Sequence, residues 1–179
     1  PERLEELFDH LLDYAEELTR SAIRRLPDGD WEFTDHIDND GFTDAPVPIH
    51  VKIVKQGDTV IADYTGTSPQ VKGAINSTLS YTSSITYACV KSVLGVDIPN
   101  NAGFFRPIHV IAPEGSFVNP QLPAPVAARG LAAMRITEAL FGAIAKMLPD
   151  RIFACGVGLD TGVTIAGYYP DRTPFLFLE

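Results

Sequence analysis

The chain has 179 residues, 45% of them hydrophobic, with 14 Lys and Arg against 23 Asp and Glu for a formal net charge of −9. That length suits one domain burying about 70% of its unfolded surface, and the thinly spread basic residues exclude a protein that tracks nucleic-acid phosphates. No apolar run reaches the ~18 residues of a membrane span, and no basic-then-apolar secretory leader is seen, so a cytoplasmic setting is expected.

The first element is a long amphipathic helix. Leu4, Leu7, Phe8, Leu11, Ala15, Leu18, Ala22 and Leu26 recur at three- and four-residue steps, with acidic and basic residues between them. Leu26-Pro27-Asp28-Gly29 stops it, and Arg24-Arg25 complements the carbonyl end. Strands are expected at 31–37, 47–55 and 59–65, the last two joined by a hairpin turn at Gln56-Gly57-Asp58. Ile49, Val51 and Ile53 alternate with His50, Lys52 and Val54, so one face of this antiparallel meander is buried, with the first helix as its natural cover. A second helix is expected over 82–94, a strand over 106–112, and a third helix over 134–148, ended by Pro149. Two final strands, 162–169 and 174–179, flank a turn at 169–173. The class is α+β: antiparallel sheet covered by about three helices, in a single domain or part-domain.

Between these elements the chain builds shaped loops. Asp63-Tyr-Thr-Gly-Thr-Ser-Pro-Gln70, Gly73-Ala-Ile-Asn76 and Ile98-Pro-Asn-Asn-Ala-Gly103 set glycine and proline bends beside side chains that bond to nearby backbone. Asp63, Thr65 and Thr67 have two readings: local closure of their own turn, or a concave nest of donors facing a carboxylate, phosphate or lactam carbonyl. Asn101 has the composition of a left-handed turn residue, and Asn76 stands among loop glycines. Arg129, between an Ala/Pro loop and the third helix, suits either a surface salt bridge or a clamp on a carboxylate.

Other familiar sites are missing. Asp35, Asp38, Asp40 and Asp44 surround Gly41, but a calcium loop with Gly41 at its sixth position would start at His36 and end at Val47, so the cluster reads as a solvated acidic loop. The four histidines are too scattered for a zinc pair, and Cys89 and Cys155 read as buried free thiols. There is no Walker loop, nucleophile elbow or dinucleotide turn.

Together with Arg106-Pro-Ile-His-Val-Ile-Ala-Pro-Glu-Gly115, Asn119-Pro120 and Pro123-Ala-Pro-Val-Ala-Ala128, these loops resemble the hydantoinase B/oxoprolinase family over 12–179. The resemblance implies an internal fragment of the B component of an ATP-dependent cyclic-amide hydrolase, of N-methylhydantoinase or 5-oxoprolinase type, inactive by itself. It implies an oligomer whose ATP sits on a hydantoinase A-like partner or domain, and a divalent metal held by a motif upstream of this segment. Components of acetone and acetophenone carboxylases resemble the same family, and a purely structural role in docking the A-type, ATP-binding component is a further alternative. Ala127-Ala-Arg-Gly-Leu131 departs from the Gly-Gly-Asn type sequence of many members. No catalytic residue is carried over; Asp63, Thr65, Thr67, Asn76, Asn101 and Arg129 stand as substrate-binding or loop-shaping candidates.

Overall fold

A computed structural model describes residues 2–156, 158 and 162–178, the side chains of Glu2 and Leu178 excepted. In chain order the elements are α1 (Glu2–Ile23), β1 (Gly29–Ile37), β2 (Val47–Gln56), β3 (Thr59–Asp63), α2 (Leu79–Leu94), α3 (Ala102–Phe105), β4 (Ile108–Ile111), α4 (Arg129–Met147), β5 (Thr164–Tyr168) and β6 (Pro174–Leu178). The α+β class holds: a four-stranded sheet ordered β1-β2-β3-β4 carries the helices, and β5 and β6 form a separate hairpin.

The meander follows from its turn chemistry. Gly57 adopts φ 58° between Gln56 and Thr59, a left-handed turn conformation that costs glycine little and matches strand twist. β1 to β3 pair antiparallel, but β4 runs parallel to β3, with Val60 N donating to Pro107 O (3.0 Å) and Tyr64 N to Ile111 O (2.8 Å). A parallel neighbour needs a long crossover, so α2, α3 and most of the shaped loops lie between β3 and β4.

The cover of the sheet differs from expectation. α4, not α1, packs across β1 and β2, burying Ala132, Ile136, Ala139, Leu140, Ala143 and Ile144 with Ile49, Val51 and Ile53. Lys146 Nζ lies 5.6 Å from the Phe33 ring centre, and Arg135 bonds Asp35 at 3.0 Å on the same face. α1 instead docks against α3 and the hairpin tip, where Asp58 accepts from Arg20 (2.9 Å) and Arg24 (3.2 Å). Gly103 makes that contact possible: a Cβ there would overlap the backbone carbonyl of Leu12. Asn101 caps α3, accepting from Gly103 N at 2.9 Å, and Arg106 bonds Asp13 and Glu16 on α1 at 2.8 and 2.9 Å.

The buried face of β2 ends in a charge. Lys55 is 3% exposed, and its ammonium donates to Asp28 Oδ1 at 2.8 Å, which also accepts Gly57 N at 2.9 Å. A buried ammonium needs such a partner. The Lys55 bond, and secondarily Gly57 N–H, hold the Asp28 carboxyl below its usual range. Its stabilising contribution is therefore complete above the unfolded-state value of about 3.9 and is lost as pH falls through the lower folded-state value. The melting temperature of Asp28→Asn is expected to fall short of the parent at pH 7, with the gap closing below about pH 4; a gap that stays constant with pH would contradict this reading.

Candidate functional site

The turn after β3 closes on itself. Asp63 Oδ1 accepts Thr65 N at 2.8 Å, Tyr64 O accepts Thr67 N at 3.0 Å, and Pro48 O accepts Ser68 N at 2.9 Å, so these three donors are spent within the fold. Thr67 clasps β2 from both sides, its hydroxyl donating to His50 O (2.9 Å) and accepting His50 N (3.1 Å). The Thr65 side chain is exposed and Asp63 is half-buried. The geometry of the three residues is that of a brace.

Beyond this turn, backbone bonds tie the loops into one body. Phe117 N donates to Ser68 O at 2.8 Å and Ser77 N donates to Phe117 O at 2.9 Å, carrying the brace to the start of α2. At the centre is Asn76, fully buried. Its Oδ1 accepts Val71 N at 2.8 Å, while Nδ2 donates to Val71 O (2.9 Å), Gly73 O (3.2 Å) and Pro125 O (2.9 Å). A primary amide offers an acceptor and two donors in one rigid plane, and here they join the 71–76 loop to the 123–128 loop. Ala128 N donating to Ala74 O at 2.8 Å completes the seam and sets where α4 begins.

Arg129 is the first residue of α4 and points over this seam. Its guanidinium lies 5.5 Å from the Tyr81 ring centre, within cation–π reach, and Nη1 donates to Val126 O at 3.4 Å. It makes no salt bridge among the described residues. With Thr78, Ser80, Tyr81 and Ser84 it lines an open depression of about 360 Å³. Through Ser84 this joins a second one of about 320 Å³, lined by Tyr87, Lys91, Asn100, Phe104 and Phe105. Tyr87 stacks on Phe105 with ring centres 4.4 Å apart, and Lys91 Nζ stands 5.4 Å from the Phe104 ring centre. The result is a groove along α2 with a cation at each end and, among the described residues, no carboxylate lining it, in a chain whose acids outnumber its bases.

Residue spacing alone starts the second helix at 82, and that start hides the groove. Thr78 caps α2 by accepting Tyr81 N at 3.4 Å, and the helix starts at Leu79. With the start at 79, Ser80, Tyr81, Ser84, Tyr87, Ala88 and Lys91 fall on one face at helical spacing, opposite the buried Thr82, Thr86, Cys89, Val90 and Val93. The Ser80-Tyr-Thr-Ser-Ser84 run is the signal that could have found it.

Asn101 adjoins the groove next to Asn100 without being one of its lining residues, and it is not left-handed: at φ −139° it is extended and acts as the α3 cap. Cys155 is exposed rather than buried, with its thiol donating to Glu138 Oε2 at 2.7 Å, a bond that raises its pKa. Cys89 is buried, which pushes its thiol up to about 12. In the acidic loop Asp40 accepts from Phe42 N (3.0 Å) and Thr43 N (2.9 Å), bonds that lower its pKa. Among the described residues no three His, Cys, Asp or Glu side chains are grouped as metal ligands would be.

The sequence profile of Hydantoinase B/oxoprolinase matches residues 1–179. The chain belongs to the hydantoinase B/oxoprolinase family. A Pseudomonas sp. (strain NS671) protein provisionally named as the B component of a D-/L-hydantoinase is 36% identical over 163 residues, 84% of this chain and 27% of the relative. 5-Oxoprolinase 1 of Arabidopsis thaliana is 31% identical over 140 residues, covering 74% of this chain and 11% of the plant protein. The crystal structure of the ATP-dependent caprolactamase from Pseudomonas jessenii superposes with a TM-score of 0.82 at 26% identity, over 98% of this chain and 30% of that one. Acetone carboxylase shares the fold, with a TM-score of 0.75 at 13% identity, over 92% of this chain and 24% of that one. This member of the hydantoinase B/oxoprolinase family therefore spans less than a third of the relatives it matches.

Proposed function

We propose that this chain is part of the B component of an ATP-dependent hydrolase that opens a cyclic amide, working with an A-type partner or domain that binds the nucleotide. The observation that carries this is the likeness to the caprolactamase, which extends over nearly the whole chain and exceeds that to acetone carboxylase in both fold and identity. In such a reaction ATP activates the amide oxygen so that water can attack the ring carbonyl. The segment's own contribution is to bind and orient. The Arg129 guanidinium, set among the hydroxyls of Thr78, Ser80 and Ser84, offers fork geometry suited to a carboxylate or another planar anionic group. Asp63, Thr65, Thr67 and Asn76 hold the loops that frame this end of the groove, and Asn101 sets α3 against α1.

The test uses the complete B component reconstituted with its ATP-binding partner, offered 5-oxoproline, hydantoin or caprolactam. Ring opening coupled to ATP consumption is expected; ATP consumption that requires a ketone and bicarbonate, with no ring opening, would reassign the chain to a carboxylase. Arg129→Gln is expected to raise KM about 10- to 100-fold, matching the ~1.5–3 kcal/mol of a charged hydrogen bond, with kcat little changed and Arg129→Lys only partly restoring it. An unchanged KM would remove Arg129 from the site. The 179-residue segment alone is expected to turn over neither ATP nor amide, and turnover by it would refute the division of labour.

A further inference from the structure

The apolar stripe of α1 has two unlike halves. From Ala15 onward it is part of the core: Ala15, Ala22 and Ile23 are buried and Leu18 packs against them. Before Ala15 the same spacing continues through Leu4, Leu7, Phe8, Leu11 and Tyr14, yet each of these is more than half exposed. α3 meets α1 through Asn101 to the Leu11 carbonyl, Gly103 at the Leu12 carbonyl and Arg106 to Asp13 and Glu16. A contiguous patch of five large apolar side chains is an interaction surface by size.

Its rim says what kind of partner it takes. Glu5, Glu6 and Asp9 flank the bare turns, and no ion pair or hydrogen bond engages their side chains among the described residues. Farther along the helix the acids are already neutralised, Asp13 and Glu16 by Arg106, Glu16 also by Arg20, and Glu17 by Arg24. Arg3 is the only Lys or Arg before Arg20. A second copy of this helix would set carboxylate against carboxylate, and an anionic lipid surface selects helices whose polar face is basic, the reverse of this one.

We propose that the first three turns of α1 are the docking surface for an amphipathic helix of another polypeptide segment, one whose apolar stripe is flanked by Lys or Arg. The inference rests on α1 alone and stands whether or not the proposed reaction is correct. Two amphipathic helices pack by apposing apolar stripes with i, i+3, i+4 and i+7 spacing, the spacing of Leu4, Leu7, Phe8 and Leu11.

The probe is a labelled amphipathic helical peptide of Leu and Lys, compared by fluorescence anisotropy with its Leu and Glu counterpart on the 179-residue chain. The Lys peptide is expected to bind and the Glu peptide not. Leu7→Ser with Phe8→Ser should cut affinity tenfold or more with circular dichroism unchanged, because both side chains are exposed; binding by charge alone would survive this and would overturn the proposal. Glu5→Lys, Glu6→Lys and Asp9→Lys together should reverse the preference toward the Glu peptide. Equal binding of the two peptides, concentration-dependent dimerisation abolished by Leu7→Ser and Phe8→Ser, or binding to anionic vesicles through the same residues would each overturn it.

Discussion

Asn76→Ala is expected to lower unfolding free energy by about 2–4 kcal/mol, and Asn76→Asp by more. Alanine leaves Val71 N and the carbonyls of Val71, Gly73 and Pro125 without their partner in a site closed to water. Each buried group stranded in this way costs about 1–3 kcal/mol, reduced by whatever the loops recover on relaxing. Aspartate keeps the acceptor for Val71 N but turns a charged oxygen toward three carbonyls, trading attraction for repulsion. Burial beside the carbonyls of Val71, Gly73 and Pro125 disfavours the charged form of the introduced carboxyl, so its folded-state pKa lies above its unfolded value. Its penalty should shrink as pH falls through that value, because protonation restores one donor. Urea unfolding of both variants across pH checks the ordering and the trend. Losses below about 0.5 kcal/mol, on the order of an ordinary surface substitution, would mean that the two loops do not depend on this amide.

The second large effect belongs to Gly103→Ala. The added methyl would overlap the Leu12 carbonyl, and a backbone carbonyl in the middle of a helix cannot swing aside as a side-chain tip does. α1 and α3 must therefore separate, which stretches the Asn101 Nδ2 bond to the Leu11 carbonyl and the Arg106 bridges to Asp13 and Glu16. Forced overpacking of this kind costs about 1–3 kcal/mol, and the loosened Asn101–Leu11 hydrogen bond and ion pairing add to it. Denaturant unfolding measures the loss. Hydrogen exchange should localise it to 11–16 and 101–106; uniform exchange with unchanged stability would show that the helices have room to spare.

Much of this architecture can be read directly from residue spacing. The period-two alternation along 47–55 locates β2 and its buried face, and Gly57 locates the hairpin, because both signals are local. Which helix covers the sheet is not legible, since α1 and α4 both carry apolar stripes and only tertiary packing assigns α4 to β1 and β2. The parallel pairing of β4 is hidden for the same reason, as it depends on a partner more than 40 residues away in sequence. At the site, Asn76 and Arg129 stand out as polar residues among loop glycine and proline, but their link through Pro125 and Ala128 is a contact between distant segments. Lys55 has the look of an ordinary strand residue. Its burial shows only when Asp28, 27 residues earlier, is seen to meet it.

The β3–β4 crossover has a further consequence for how this domain can change. Antiparallel meander and covering helix form one module, while the groove is written almost wholly into the excursion between Tyr64 and Pro107 and the stretch up to Arg129 that Asn76 seams to it. A graft that exchanges both stretches as a matched pair should preserve the frame and transfer ligand preference, whereas swapping either one alone would separate the amide from its carbonyls. Diversification in this fold is thus constrained to move in linked blocks.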